Sequence, residues 1–200
     1  MKDIKRIFYW AMPVALLLAF PAHAHPLHGD VAGLAGGLLH PLSGIDHLLA
    51  MVAVGIWAAQ LGGSAVWKVP LTFVITMLLG AAVALSGVGL LQIESAVEPV
   101  IAASVLVLGL VISLQVRLLP WLASLLVAAF ALFHGHAHMA ELPGAASALG
   151  YVIGFALMTT LLHGAGIATG YLLQRHASAA LLRAGGMGVA GFGVWLLVGA

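Results

Sequence analysis

The chain has 200 residues, of which 63% are hydrophobic and only 6% charged, with a formal net charge of +1. A mean hydropathy of +1.16 excludes an ordinary water-soluble domain, and a charge this close to neutral gives no electrostatic footprint for nucleic acid. With no cysteine, disulfides, thiolate metal sites and iron–sulfur clusters are also excluded, leaving His, Asp, Glu and a few Met as ligands, a set suited to Ni, Co, Zn or Cu more than to Mg or Ca.

Residues 1–24 have the pattern of a cleavable signal peptide: a basic start at Lys2, Lys5 and Arg6, an apolar core from Ile7 to Phe20, and Ala22-His23-Ala24 as a small-x-small cleavage site. An uncleaved first helix is the alternative. Cleavage leaves 25–200 as a single membrane domain whose first residues, His25-Pro26-Leu27-His28-Gly29-Asp30, form a polar tail; His25 and His28 are candidates for loose metal capture there.

Next comes an apolar stretch near 31–40, too short to cross a bilayer, which needs about 20 apolar residues. It ends at His40-Pro41, where proline disfavours helical geometry in the preceding residue. Ser43 is expected to cap a new helix with Asp46 in its first turn. The expectation is a short broken or re-entrant helix followed by six spanning helices, near Gly44–Leu61, Trp67–Leu91, Val97–Val116, Pro120–His138, Ala145–Gln174 and Ala179–Gly199. The fold class is all-α, a polytopic membrane bundle.

With the mature N-terminus outside, successive connections alternate sides. Lys68, Arg117, Arg175 and Arg183 then fall at cytoplasmic ends, whereas Asp30, Glu94, Glu98 and Glu141 fall at external ends. This is the arrangement expected of a bacterial inner-membrane protein. Glycine runs at Gly33, Gly36 and Gly37 and at Gly185, Gly186 and Gly188 suit close helix packing. Trp57, Trp67, Trp121 and Trp195 lie toward span ends and are expected as interface anchors.

Two stretches hold most of the buried polar chemistry, 40–47 (HPLSGIDH) and 134–141 (HGHAHMAE). An ionisable group inside a bilayer costs at least roughly 2.5–3.5 kcal/mol when charged, so such clusters need a function. In the first, Pro41 and Gly44 interrupt the helix beside His40 and His47, and Asp46 supplies negative charge, although capping alone would also account for Asp46. In the second, His134, His138 and Glu141 stand at i, i+4 and i+7, one face of a continuing helix and a familiar grip for a transition metal. His136 points the other way and is at most peripheral. Alternating topology puts both clusters at the external end, so His40, Asp46, His47, His134, His138 and Glu141 are the candidate metal ligands. His163, mid-span and followed by Gly164-Ala165-Gly166, is a candidate permeation-path residue or a packing histidine. Glu94 and Glu98, expected in the external loop before Pro99, are candidates at the mouth, together with Phe133 and His136.

The string HPLSGIDHLLAMVAVG, residues 40–55, resembles the signature of the HupE/UreJ family of nickel permeases, and FHGHAHMAE, residues 133–141, resembles its second motif, usually close to FHGxAHGxE. Met139 stands where glycine is usual. The resemblance implies a permease for nickel, or cobalt, supplying hydrogenase or urease maturation, with the metal as transported substrate and no permanently bound cofactor. It carries the first motif's polar positions onto His40, Asp46 and His47, and the second's onto Phe133, His134, His138 and Glu141. The residues alone leave open a permease for cobalt, zinc or copper, a membrane-embedded metalloenzyme, or a haem-binding subunit. An enzyme is not expected, since no H-E-x-x-H or serial histidine boxes are present. The expected partners are therefore the lipid bilayer, a transition-metal ion and maturation proteins, without nucleic acid.

Overall fold

The structure is a computed structural model that describes residues 29–86, 94–144 and 146–199. The signal-like segment and the candidates His25 and His28 lie outside the described residues. Among the described residues seven helices run in chain order: α1 (Gly29–Ser43), α2 (Ile45–Leu61), α3 (Ala65–Leu85), α4 (Glu94–Ser113), α5 (Pro120–Ala140), α6 (Ala148–His176) and α7 (Ala179–Gly199). Among the described residues there is no strand. Five helices are long and apolar enough to cross a membrane, or six if the bent pair α1 and α2 counts as one span. At about 1.5 Å of rise per residue, a helix of about 20 residues matches a hydrocarbon core of about 30 Å.

The apolar surface lies where lipid would cover it. Trp67, Leu71, Ile75 and Leu79 form one exposed ridge on α3, and Leu149, Ile153, Leu157 and Leu161 form another on α6. Trp67, Trp121 and Trp195 are exposed, as anchors should be. Trp57 is not an anchor. It is fully buried, and its Nε1 donates to Val116 O at 3.1 Å, tying α2 to the connection after α4. Position near a span end said nothing about which face it occupied.

With little hydrophobic drive between helices in lipid, close backbone approach supplies much of the packing. A Cβ on Gly135 would strike the Met77 carbonyl and one on Gly80 the Leu132 carbonyl, locking α5 to α3. Gly55 and Gly166 do the same for α2 and α6, and Gly109 and Gly186 for α4 and α7. Of the two glycine runs, Gly33, Gly37 and Gly186 sit in such contacts, whereas Gly185 and Gly188 have nothing within 4 Å.

The long α6 organises the site. Gly33 and Gly37 of α1 abut Ser147 and Tyr151, and Gly55 of α2 abuts His163 and Gly166. Both halves of the broken pair therefore follow α6 in one direction, with a bend of 82° between them. The break falls at Gly44, one turn later than expected. His40 and Pro41 are the last turn of α1 and not its end. Ser43 does not cap α2, because its Oγ donates back to His40 O at 2.7 Å, satisfying a carbonyl at the α1 terminus. The N-cap is Gly44, whose side-chain-free backbone makes no cap bond. Other boundaries differ as well; α3 covers the predicted Trp67–Leu91 span up to Leu85, and Leu91 lies outside the described residues. Glu94 and Glu98 belong to α4 and not to a loop, and α5 stops at Ala140, so Glu141 is its C-cap residue.

Candidate metal site at the helix break

The bend at Gly44 turns the end of α1 and the start of α2 toward the end of α5. Three acids, Asp46, Glu98 and Glu141, line one cavity of about 200 Å³ with His40, His47, Ser43 and Gly44. Irregular backbone is tolerated at membrane depth where it lines such a cavity. Thus α1, α2, α4 and α5 all contribute, and the two motifs meet although about ninety residues separate them in the chain.

Beneath the cavity four imidazoles pack together. The His40 ring is 4.8 Å from His138 and 6.1 Å from His47; the His47 ring is 4.9 Å from His138 and 5.0 Å from His134. His47, His134 and His138 are buried. At the rim, His40 Nε2 lies 3.5 Å from a Glu141 carboxylate oxygen. The C-cap position lets Glu141 reach across from α5 to α1 while staying exposed to solvent.

Hydrogen bonds orient two of the rings. Asp46 Oδ1 accepts from the His47 backbone N–H at 2.8 Å and contacts His47 Nδ1 at 3.1 Å. A carboxylate can only accept, so the neutral ring carries its proton on Nδ1 and keeps Nε2 as a bare lone pair. His134 Nδ1 meets the Phe130 carbonyl at 3.1 Å, with the same consequence. His47 Nε2, His134 Nε2 and both nitrogens of His138 are buried without a hydrogen-bond partner. An unmet buried polar atom costs about 1–3 kcal/mol, so several here stand ready for a common ligand. Asp46 therefore satisfies a free N–H in the first turn of α2 and also fixes the His47 tautomer, as a carboxylate does behind a metal-binding imidazole.

As the side chains stand, no three His, Asp or Glu groups among the described residues form a cage that would hold an ion. The rings pack edge-on or tilted to one another, so gripping a cation requires them to rotate.

The remaining candidates lie elsewhere. His136 is half-buried on α5, with Nδ1 unpartnered and no ring contact to the four imidazoles. Phe133 packs against Val97, Ile101 and Ala137, between α4 and α5. Glu94 starts α4 in an exposed position, one turn from Glu98. Met139 is buried in the main core, so the residue in place of the usual glycine packs as a hydrophobe. His163 is buried on α6, and Phe73 bridges inward to it, its ring 5.4 Å from His134 and 5.1 Å from His163.

Three aromatic neighbours of the site escaped the sequence reading. Phe155 stacks on His138 at 4.7 Å, Tyr151 stands 5.7 Å from His40 with its hydroxyl buried and unpartnered, and Phe73 separates His134 from His163. Aromatic residues in long apolar spans give no signal of what they touch. The one available hint was polarity: Tyr151 places a hydroxyl in the second turn of a span.

A family model described as HupE / UreJ protein matches residues 13–196. The chain is also 46% identical, over 186 residues, to Protein HupE of Rhizobium leguminosarum bv. viciae, an alignment covering 92% of this chain and 94% of that protein. The chain belongs to the HupE/UreJ family. This membership and the apolar helices describe a multi-pass membrane protein. The family match covers α1 to α6 and most of α7, including the break at Gly44 and both histidine motifs. No solved structure matches the chain.

Proposed function

We propose that this HupE/UreJ protein is a permease that carries nickel, with cobalt as the second candidate cargo, from periplasm to cytoplasm across the bacterial inner membrane. The metal is substrate, not cofactor. One observation carries the reading: His40, His47, His134 and His138 converge below an acidic cavity and leave several buried ring nitrogens without partners. Late first-row ions favour imidazole nitrogen with some carboxylate and water. Nickel in particular rests on the resemblance of the two motifs to nickel permeases, which also suggests a supply line to hydrogenase or urease maturation.

The acids divide the work by depth. Glu98 and Glu141 are exposed at the rim and raise the local cation concentration. Asp46 is deeper, offsets the positive N-terminal end of α2 and holds His47 ready to bind through Nε2. His40, hinged on the last turn of α1, is placed to pass a partly dehydrated ion from Glu141 toward His138. Charge supports the orientation: Lys68, Arg117, Arg175 and Arg183 lie at the bundle end opposite the cavity, where the positive-inside rule puts the cytoplasm.

The test is accumulation of radioactive nickel at low external metal in cells expressing matched amounts of each variant. Asp46→Ala and His40→Ala are expected to lower uptake by roughly 10–100-fold, the range for removing a partner that orients a metal-binding group. Both proteins should still reach the membrane. Undiminished uptake in both variants would remove the site from the pathway, and competition by cobalt, zinc and copper in proteoliposomes ranks the cargo.

A further inference from the structure

One turn further along α6 and α2 lies a second cluster of donors that the outer site does not use. Thr159 Oγ1 donates to Met51 Sδ at 3.3 Å and lies 3.7 Å from Met77 Sδ, so one hydroxyl ties thioethers from α2 and α3 to α6. His163 follows Thr159 by four residues and shares its helix face. On α3, Phe73 precedes Met77 by the same interval and sets its ring 5.1 Å from His163. Gly55, one turn beyond Met51 on α2, abuts the His163 carbonyl. Three helices thus bring two sulfurs and a hydroxyl into one core layer, with the His163 imidazole in the adjacent layer, one turn along α6 from that hydroxyl. Met51, Met77, Thr159 and His163 are all buried, and both His163 ring nitrogens lack a partner. A buried imidazole bonded to nothing is costly in an apolar interior, and two polarizable thioethers at the Thr159 level, one turn away, supply soft donors.

We infer that Met51, Met77 and His163, with the Thr159 hydroxyl between the sulfurs, form a second, inner binding station for a transition-metal cation that has shed its water. Its ligand set is softer than that of the outer cluster, so it takes Cu(I) or Ag(I) more tightly than Ni²⁺, whereas nitrogen- and oxygen-rich surroundings outside reverse that order. Phe73 stands between the two, in contact with His134 on one side and His163 on the other.

The experiment uses the purified full-length protein in detergent, with Ag⁺ as the soft probe and Ni²⁺ as the borderline one. Binding stoichiometry and the sulfur contribution to X-ray absorption at the bound metal are measured together. Wild type is expected to bind Ag⁺ with sulfur ligation, and the Asp46→Ala/His40→Ala protein should retain it, because the inner station does not depend on the outer cluster. The volume-conserving Met51→Leu/Met77→Leu variant should lose the sulfur signal and at least tenfold in Ag⁺ affinity while Ni²⁺ binding at the outer site persists. His163→Gln, a smaller lesion, should weaken Ag⁺ without removing sulfur. An Ag⁺ site with no sulfur scattering in wild type, or one unaffected by the double leucine variant, overturns the inference. Loss of the proposed nickel transport with intact Ag⁺–sulfur binding would instead overturn only the permease reading.

Discussion

The outer and inner halves of the polar core share α2 but otherwise draw on different helices, α1, α4 and α5 outside and α3 and α6 within. At the break, acids stand at a cavity rim and histidines are oriented by a carboxylate and a carbonyl, so hydrated cations can approach and rings can turn. One turn deeper, no acid is present, the helices are continuous, and glycine contacts press their backbones together around methionine and histidine. The difference teaches where flexibility is placed. On the permease reading proposed above, dehydration would fall to the rigid packing below and capture to the interrupted helix above.

The harshest way to break the comparison is at the point the halves share. Gly135 lies between His134 and His138 in sequence, yet its missing side chain is what lets α5 touch the backbone of Met77 and Ala81. Gly135→Val would drive methyl groups into a carbonyl that cannot yield. Overpacking costs roughly 1–3 kcal/mol even where side chains can adjust, and here backbone must move, carrying two outer histidines and an inner methionine with it. The expected result is a severe drop in membrane-inserted protein and no uptake, read by immunoblot and nickel accumulation. Normal protein level with normal uptake would mean the α3–α5 contact does not set either half.

A sharper cut separates local geometry from folding. Gly44 has φ −95° and ψ 115°, which any residue can adopt. What forbids a side chain is space: a Cβ would stand 2.7 Å from Asp46 Oδ1 and 3.2 Å from His47 Nδ1. Gly44→Ala is therefore expected to displace the Asp46–His47 pair while leaving the helices intact. Uptake should fall about tenfold at unchanged protein level, and Ag⁺ bound through sulfur should be unaffected. A loss of protein would show that the bend, not the pair, is what the glycine protects.

How much of this was legible in the sequence follows the physics of each signal. Span existence was plain because twenty apolar residues have few other fates in a chain with this little charge, and α7 runs over the predicted Ala179–Gly199. The convergence of 40–47 with 134–141 was visible through alternating topology plus the cost of buried polar groups. The break lies a turn later than His40-Pro41 because Pro41 is accommodated inside the last turn of α1, and the chain leaves helical geometry only at Gly44, in an extended conformation. Glu98 was expected in the external loop before Pro99, yet α4 already runs from Glu94 and carries Pro99 within its second turn, where the ring removes one helical hydrogen bond without ending the helix. Trp57 was misread as an anchor, and Phe73, Tyr151, Met51 and Met77 were silent, because composition tells that a side chain is apolar, not whether lipid, a neighbouring helix or a histidine receives it.

The smallest expected effect is the most discriminating for helix phase. His136 and His138 are two residues apart on α5, so about 200° separates their directions on a helix of 3.6 residues per turn. His138 faces His40, His47 and Phe155, whereas His136 makes none of those ring contacts. His138→Ala should lower nickel uptake by at least about tenfold, and His136→Ala by no more than about twofold, within the few tenths of a kcal/mol usual for a change away from packed or binding features. Measured side by side at equal expression, the ratio of the two is independent of absolute transport rate. Equal losses would rotate α5, put the His136 face toward the cavity and dissolve the distinction between an outer ring cluster and its surroundings.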